Sequence, residues 1–315
     1  MSRTVTVGVD GSRESLAAVD WAAGEAVRRA VPLRLLHVWG GEDPRTHLVD
    51  QETARGWGER TLDAARRRLV RRHPDLRVET RWVAGDPVET LDAAAREAEV
   101  LVLGSRGLTG LRGFLAGSVS LAVLARTPRP VVLVRPQNSP APAEDGPAEP
   151  VGGGRGERDE RDERDEQEEG VPAGEVVVGL DVFGPCDEVL GFAFAAAERF
   201  GCPLRALHAW TVPAAVYGPD MGGALPMLLT ELEEDARRAL DEVLVPWTDK
   251  YPRVPVVRDC HQGRPAQDLA DAARDARLVV VGRKNRRARF GAHIGAVTHA
   301  VLHHSPAPVA VVPHD

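Results

Sequence analysis

Residues 100–118 read VLVLGSRGLTGLRGFLAGS, and this stretch decides the fold. The apolar run at 100–103 is typical of a short buried strand, and Gly104 ends it. Ser118 then opens a stretch with helical spacing that runs to Arg126. Glycines let backbone N–H groups approach a ligand closely, and a helix N-terminus attracts anions. The stretch therefore predicts a phosphate-binding loop between a strand and a helix, with a plain packing turn as the alternative.

The same alternation of strand and helix continues on both sides of this loop. Further apolar strands are predicted at 4–9, 32–39, 77–83 and 130–134. Helices are predicted between them, with Ser12 and Asp86 at positions where N-cap residues are favoured. Alternating strands and helices indicate a parallel sheet covered by helices on both faces. Right-handed crossovers then favour a doubly wound, five-stranded α/β sandwich with strand order 3-2-1-4-5.

This strand order also predicts where a ligand would bind. The order reverses between the first and fourth strands, and open sheets of this kind bind ligands beyond the carboxyl ends of the strands at that point. Asp10 follows the first strand and Gly104 follows the fourth. The loop motif and the topology therefore predict a site at the same edge of the sheet.

The whole pattern occurs twice in the chain. VVVGLD at 176–181 repeats VTVGVD at 5–10, and LHAW at 207–210 repeats LHVW at 36–39. Such self-similarity is the signature of a duplicated structural unit. The chain is therefore predicted to hold two tandem domains of the same doubly wound type.

A segment of different composition separates the two copies. The first domain is predicted at 1–136 and the second at 175–315. The segment 137–174 is rich in Pro, Gly and charge and is predicted to be a flexible charged linker. Within it, ERDERDERDEQEE at 157–169 carries most of the formal net charge of −7.

The composition excludes several classes of protein. The remainder of the chain is nearly neutral, which argues against nucleic acid as a partner. No apolar run approaches the roughly 20 residues that span a bilayer, so no membrane association is expected. Three cysteines without a CxxC spacing, and an N-terminus without a signal sequence, predict a cytoplasmic protein.

Several of these motifs together resemble the universal stress protein family in its tandem form. Its nucleotide-binding members carry the pattern G-x2-G-x9-G-[ST], and the chain matches every position with Gly104, Gly107, Gly117 and Ser118. The VGVDGS segment after the first strand, the LLHVW strand and the GDP before the third helix are also similar. The resemblance covers both copies and leaves out the linker.

The resemblance implies a flavodoxin-like, Rossmann-like sandwich that binds ATP in some members, together with a divalent ion such as Mg²⁺ or Mn²⁺. Carried over to this sequence, Asp10 would lie near the ribose and phosphates, with stabilisation of its own turn as the alternative role. The Val38 backbone would meet the adenine edge. Gly104 would contact the ribose, and the phosphates would be held by Gly107, Gly117 and Ser118.

The second copy departs from this pattern. Gly282 and Gly295 remain, but Asn285 and Ala296 replace the second glycine and the serine. Because Ala296 offers no hydroxyl to a phosphate, the second domain is predicted to bind nucleotide weakly or not at all. The basic segment 283–289 leaves one alternative open, in which charge rather than a backbone cradle holds phosphates.

Other chemistry finds little support in the sequence. His37 and His208 occupy equivalent strand positions and are predicted to be packed core residues. Cys260, His261 and His293 lack the spacing of a metal site, and no GxSxG elbow is present. No catalytic residue and no metal-ligand set are therefore predicted.

Three functions remain on this evidence. The first is a stress-response regulatory protein that binds ATP without efficient turnover. The second is a slow, metal-dependent ATP hydrolase or phosphotransferase, and the third is an interaction protein with a relic site. The apolar fifth strands lie at sheet edges, which invite pairing. They predict pairing of the two domains within one chain, or a homodimer.

Overall fold

The computed structural model describes six stretches of the chain: 4–40, 50–105, 118–136, 174–212, 225–285 and 294–315. The predicted linker therefore lies outside the described residues, except for Gly174 at its end. Within the described stretches, no helix combines the length and the apolar character that crossing a membrane requires.

The described residues of the first half form five strands and four helices in strict alternation. They are β1 (Val5–Gly8), α1 (Arg13–Arg29), β2 (Leu33–Trp39), α2 (Gln51–Arg72), β3 (Val78–Ala84), α3 (Pro87–Glu97), β4 (Val100–Gly104), α4 (Ser118–Arg126) and β5 (Val131–Val134). β1, β2, β4 and β5 coincide with apolar runs of the sequence, whereas β3 alternates in polarity.

The second half repeats this order. Its elements are β6 (Glu175–Gly179), α5 (Asp187–Phe200), β7 (Leu204–Trp210), α6 (Leu225–Lys250), β8 (Val256–Gln262), α7 (Pro265–Ala272), β9 (Ala276–Lys284), α8 (Ala296–His304) and β10 (Val309–His314). The tandem repeat seen in the sequence is thus a repeat of the fold.

All ten strands of the described stretches belong to one sheet. Its order is β3-β2-β1-β4-β5-β10-β9-β6-β7-β8, so each half shows the order 3-2-1-4-5. Pairing within each half is parallel throughout, as between β1 and its neighbours β2 and β4. The prediction of two doubly wound, five-stranded parallel sheets in tandem is confirmed.

The two halves meet at their fifth strands. β10 pairs with β5 in antiparallel orientation, with Ala310 opposite Val132 and Val309 opposite Leu133. Every residue of both strands is buried. This pairing satisfies the backbone groups of two apolar edges that would otherwise be exposed.

Helices cover both faces of the sheet. On one face α1, α2, α5 and α6 enclose a core that runs through both halves, including Leu69, Phe194 and Leu244. On the other face α3, α4, α7 and α8 enclose a second core, including Leu124 and Leu302. Since both cores cross the central strand pair, the halves share their hydrophobic interior.

Helix capping confirms two of the predicted starts and shows where the halves differ. The Ser12 hydroxyl accepts from the Ser15 amide at 3.1 Å, and the Asp86 carboxylate accepts from the Glu89 amide at 2.8 Å. The counterpart helix α5 begins at Asp187, about one turn later than α1 relative to the repeat, and its N-cap Cys186 makes no side-chain bond. The first turn of α1 therefore has no helical counterpart in the second half.

Two arginines connect the halves through helix C-termini. The buried Arg283 of β9 donates to the carbonyl oxygens of Ala125 at 3.3 Å and Thr127 at 2.6 Å, at the end of α4. Conversely, Arg135, which follows β5, donates to the carbonyls of Leu302 and Ser305 at the end of α8. Cations suit the negative end of a helix and satisfy its unpaired carbonyls.

A buried carboxylate joins the helices on the opposite face. Glu25 of α1 has a side chain that is 2% exposed and contacts Arg29 at 2.6 Å. It also meets Arg199 of α5, from the other half, at 3.1 Å. Arg28 stacks over the Phe200 ring at 4.5 Å beside this group. The carboxylate of Glu25 thus connects a helix of the first half with a helix of the second.

We expect Arg283→Met to lower the free energy of unfolding by about 2–3 kcal/mol, because it leaves buried carbonyls of α4 without their charged donor. Arg126→Met serves as the control. Arg126 is an exposed arginine of α4 itself, and its replacement should leave the free energy of unfolding nearly unchanged. Urea unfolding of both variants measures the difference. Equal stabilities of the two variants would contradict the role given to Arg283.

Candidate functional site

A cavity of about 420 Å³ opens at the carboxyl edge of the first half's sheet. It lies between the end of β1 and the end of β4, at the point where the strand order reverses. Its wall consists of Gly8, Val9, Asp10, Ser12, Glu14, Ser15, Leu36, Val38, Pro87, Leu91, Leu103, Gly104, Val119 and Ser120. The predicted residues Asp10, Val38 and Gly104 thus lie around one cavity.

The remaining predicted residues belong to the loop between β4 and α4. Gly107 and Gly117 lie outside the described residues. Ser118 is the first residue of α4, and its side chain is likewise outside the description. The two residues that follow it, Val119 and Ser120, line the cavity. The first turn of α4 therefore faces the same space as Asp10.

Asp10 makes a compact turn with the start of α1. Its Oδ1 accepts from the Ser12 amide at 2.9 Å and from the Ser12 hydroxyl at 2.6 Å. The Ser15 hydroxyl in turn donates to the Ser12 carbonyl at 3.0 Å. Asp10 therefore stabilises its own turn, and its second carboxylate oxygen has no protein partner among these bonds.

These contacts keep Asp10 ionised. Partial burial acts to raise the pKa of the carboxyl, but the hydrogen bonds from Ser12 and Ser15 outweigh it. The net result is a pKa below the ordinary value of 3.8. An anionic carboxylate at the cavity mouth suits a bound cation, or the hydroxyl groups of a sugar, better than a bare phosphate.

Gly104 has a packing reason of its own. A β-carbon at this position would lie 2.5 Å from the carbonyl carbon of Glu14 and 2.7 Å from the amide nitrogen of Ser15. These are backbone atoms in the first turn of α1, which cannot yield easily. Glycine is needed here so that β4 and α1 can approach each other, whether or not a ligand is bound.

In each half, a histidine contacts the backbone just after that half's first strand. His37 Nδ1 lies 2.7 Å from the Val9 carbonyl oxygen, and His208 Nδ1 lies 3.0 Å from the equivalent Leu180 oxygen. Because a carbonyl only accepts, each Nδ1 carries the proton. His208 is buried and His37 is partly buried. Both residues serve the fold, as the sequence predicted.

The second half contains a cavity of about 490 Å³ at the equivalent place. The wall carries Ala209 at the position of Val38, and Gly282 and Gly295 at the positions of Gly104 and Gly117. The larger volume is consistent with the smaller side chain and with the missing first turn of α5. Space for a ligand is therefore present in both halves.

The chemistry of the second cavity differs from that of the first. Asp181, the counterpart of Asp10, faces the Lys284 ammonium at 3.5 Å instead of a serine. Phe183 stands at the position of Ser12 and is 71% exposed. The Asp181 charge is thereby matched by a protein cation, and the serine donors of the first half are replaced by an aromatic ring.

Cys186 at this second cavity is not a reactive thiol. Burial, reinforced by the nearby carboxylates of Asp187, Asp181 and Glu188, raises its pKa to about 11. The thiolate, which is the nucleophilic form, is therefore scarce at neutral pH. Within the described residues, no group of three or more His, Cys, Asp or Glu side chains has the arrangement of a metal site. His261 is engaged with Asp259 and Asp268, and His293 lies outside the described residues.

Sequence reasoning missed several residues of the first cavity. Ser12 was expected only as a helix cap, yet it binds Asp10 and lines the site. Ser120 had one signal in the sequence: it lies three residues after Gly117, and therefore in the first turn of the predicted helix. Leu36, Leu91 and Leu103 form the apolar floor. Apolar residues of this kind carry no local signal, because a floor residue and a core residue look alike in sequence.

Comparison with known proteins gives a consistent picture. The model of the family described as "Universal stress protein family" matches residues 1–135 and 173–313. One universal stress protein of Mycobacterium tuberculosis is 31% identical over 98% of this chain and 96% of its own length. A second protein of that name from the same species is 30% identical over 99% and 96%.

A solved structure resembles the whole chain. The crystal structure of a universal stress protein from Archaeoglobus fulgidus covers 100% of both chains with a TM-score of 0.65. Its sequence identity is 18%, so this likeness concerns the fold. The two-half architecture therefore exists in an experimentally determined structure.

We expect Gly104→Ala to destabilise the protein by about 1–3 kcal/mol, because the added methyl would press on the backbone of α1. The matched control is Gly295→Ala, since a β-carbon at Gly295 meets nothing within 4 Å. Thermal or urea unfolding compares the two. A neutral Gly104→Ala variant would show that this close approach is not required.

We expect Ser12→Ala to raise the pKa of Asp10, because the variant loses the 2.6 Å hydroxyl bond to the carboxylate. NMR titration of the Asp10 carboxyl carbon measures this shift. The same bond contributes to stability above the unfolded pKa, and its contribution disappears as the pH falls through the lower folded pKa. The stability difference between wild type and Asp10→Asn should therefore shrink below about pH 4. An unchanged Asp10 titration in Ser12→Ala would contradict this assignment.

Proposed function

Because the chain belongs to the universal stress protein family, we propose that it is a stress-response regulatory protein that binds ATP in the first half. The observation that carries the proposal is the cavity at the switch point, where Asp10, Gly104 and the first turn of α4 converge. The second half binds nucleotide weakly or not at all. The protein acts in the cytoplasm, where ATP occupancy biases its conformation or its choice of partner.

The shape of the first cavity suits a nucleotide. Its apolar floor of Leu36, Leu91 and Leu103 can receive a flat base, and Val38 lies in its wall, where its backbone would meet the base edge. Gly104 borders the place for the ribose. The start of α4 offers amide groups and a partial positive charge to phosphates, with Gly107, Gly117 and Ser118 completing the motif.

Asp10 has the properties of a ligand to a nucleotide-bound Mg²⁺ or Mn²⁺. Its carboxylate is ionised, and both hydrogen bonds from Ser12 go to one of its oxygens, Oδ1. Hard oxygen ligands are those that Mg²⁺ prefers, and this ion is usually bound by one or two carboxylates and substrate phosphates. When bound, the ion would neutralise phosphate charge. Asp10 itself holds Ser12 in place at the entrance of the site.

The second cavity argues for asymmetry between the halves. Asp181 lies 3.5 Å from the Lys284 ammonium, and Ala296 lacks the serine hydroxyl. The exposed Phe183 replaces a donor with an apolar ring. A phosphate chain would find fewer directed donors here than in the first half. A regulatory role for one occupied half is consistent with the shared sheet, which connects both sites through β4, β5, β10 and β9.

We expect calorimetry to give about one ATP per chain. Gly117→Val should abolish binding, because a branched side chain in the motif blocks the close approach of backbone to phosphate. Gly295→Val, the change at the equivalent position of the second half, is the matched control and should leave binding intact. Two sites, one of them lost in Gly295→Val, would contradict the proposed asymmetry. No binding at all would favour a protein-interaction role.

The same samples distinguish binding from hydrolysis. Incubated with Mg²⁺, bound ATP should remain intact over many hours. Phosphate release that is metal-dependent and lost in Asp10→Asn would instead favour a slow hydrolase. Asparagine retains an oxygen that accepts from Ser12, so this variant removes the charge while it preserves the turn.

A further inference from the structure

Two histidines of α8 face each other on the surface of the second half. His299 and His303 are four residues apart, so they share one face of the helix. Their Nε2 atoms are 3.2 Å apart, and the ring centroids are 4.3 Å apart. His299 is exposed and His303 is half-buried, so both nitrogens are reachable from solvent. Both imidazoles thus present the same nitrogen to one point.

The distance between the two Nε2 atoms matches the separation of two nitrogen ligands on one metal ion. With metal–nitrogen bonds of about 2.0–2.1 Å, two ligands lie about 3.4 Å apart in a tetrahedral site and about 2.9 Å apart at a right angle. The observed 3.2 Å falls between these values. We propose that His299 and His303 bind a divalent transition-metal ion such as Cu²⁺, Ni²⁺ or Zn²⁺ at a surface site independent of the nucleotide cavities.

The donor set selects the class of ion. Imidazole nitrogens suit Cu, Ni and Zn, whereas Mg²⁺ and Ca²⁺ prefer oxygen ligands. Among the described residues, no third His, Cys, Asp or Glu joins the pair. Water therefore fills the remaining positions, and the bound ion stays exchangeable. For a given nitrogen site, affinity should follow the general order in which Cu²⁺ exceeds both Ni²⁺ and Zn²⁺.

The surroundings of the pair set its affinity. The pKa of His303 lies below its ordinary value because of burial first, and then because of the positive potential of His299, Arg135 and His304. The same neighbours oppose an added positive charge, which limits the affinity of a two-histidine site.

The position of the site gives metal binding a structural effect. Arg135 of the first half binds the Leu302 and Ser305 carbonyls, so the last turns of α8 form part of the junction between the halves. A metal bound by residues one turn apart would link successive turns of this helix. Binding to the folded form alone would then raise the unfolding temperature of the protein.

The test uses the untagged full-length chain and the metals alone. Calorimetry should show one Cu²⁺ per chain at this site, and electron paramagnetic resonance should show coupling to two imidazole nitrogens. His299→Ala and His303→Ala should each reduce the affinity at least about tenfold, and the double variant should lose binding at this site. His304→Ala, a change of the neighbouring exposed histidine, is the matched control and should retain the site.

Several results would overturn the proposal. These are unchanged Cu²⁺ binding in the double variant, a spectrum without two nitrogen donors, or an equal loss of affinity in His304→Ala. Because His299 is exposed, its alanine variant should unfold like the wild type in the presence of a chelator. A loss of binding in that variant would thus report on ligation and not on misfolding.

Discussion

The antiparallel pairing of β5 with β10 is the interaction on which the rest of the structure depends. Each half alone would end in a strand made of buried apolar residues, with its backbone groups open to any other edge. Pairing removes both edges at once and creates one sheet of ten strands. The outer edges show the opposite design. β3 and β8 carry charged residues such as Arg81 and Asp259, which discourage further pairing.

Charged side chains add further contacts between the two halves beside this strand pair. Arg135 and Arg283 come from non-equivalent positions, yet each caps the last helix of the opposite half. Duplication therefore supplied the two frameworks, and separate substitutions supplied the contacts between them. Glu25 and Arg199 add a third connection on the other face. Because α4 and α8 each follow the loop of a cavity, these arginines also tie each site to the opposite half of the protein.

The two cavities show how one backbone carries different chemistry. In the first, serines hold the Asp10 carboxylate; in the second, Lys284 holds Asp181, and α5 begins a turn later. The substitutions at Ala296 and Asn285 were visible in the sequence. The later start of α5 was not visible in the sequence, because a helix end depends on whether a cap residue finds its amide partner. The ion pair of Lys284 with Asp181 was not visible either, because the two residues lie far apart in the chain. The histidine pair of α8 was visible only as a spacing, since its 3.2 Å separation depends on the side-chain rotamers of both rings.

The sequence by itself determined the elements, their order and the duplication. Apolar runs, glycine turns and the caps Ser12 and Asp86 are local features, and parallel strands joined by right-handed crossovers permit few arrangements. The residue pattern also indicated the edge of the sheet where Asp10 and Gly104 meet. Only the tertiary structure decided the floor of the cavity, the steric need for Gly104 against α1, and the partners of Arg283 and Glu25. These features join residues far apart in the chain, and a contact of that kind leaves no periodic signal in either segment.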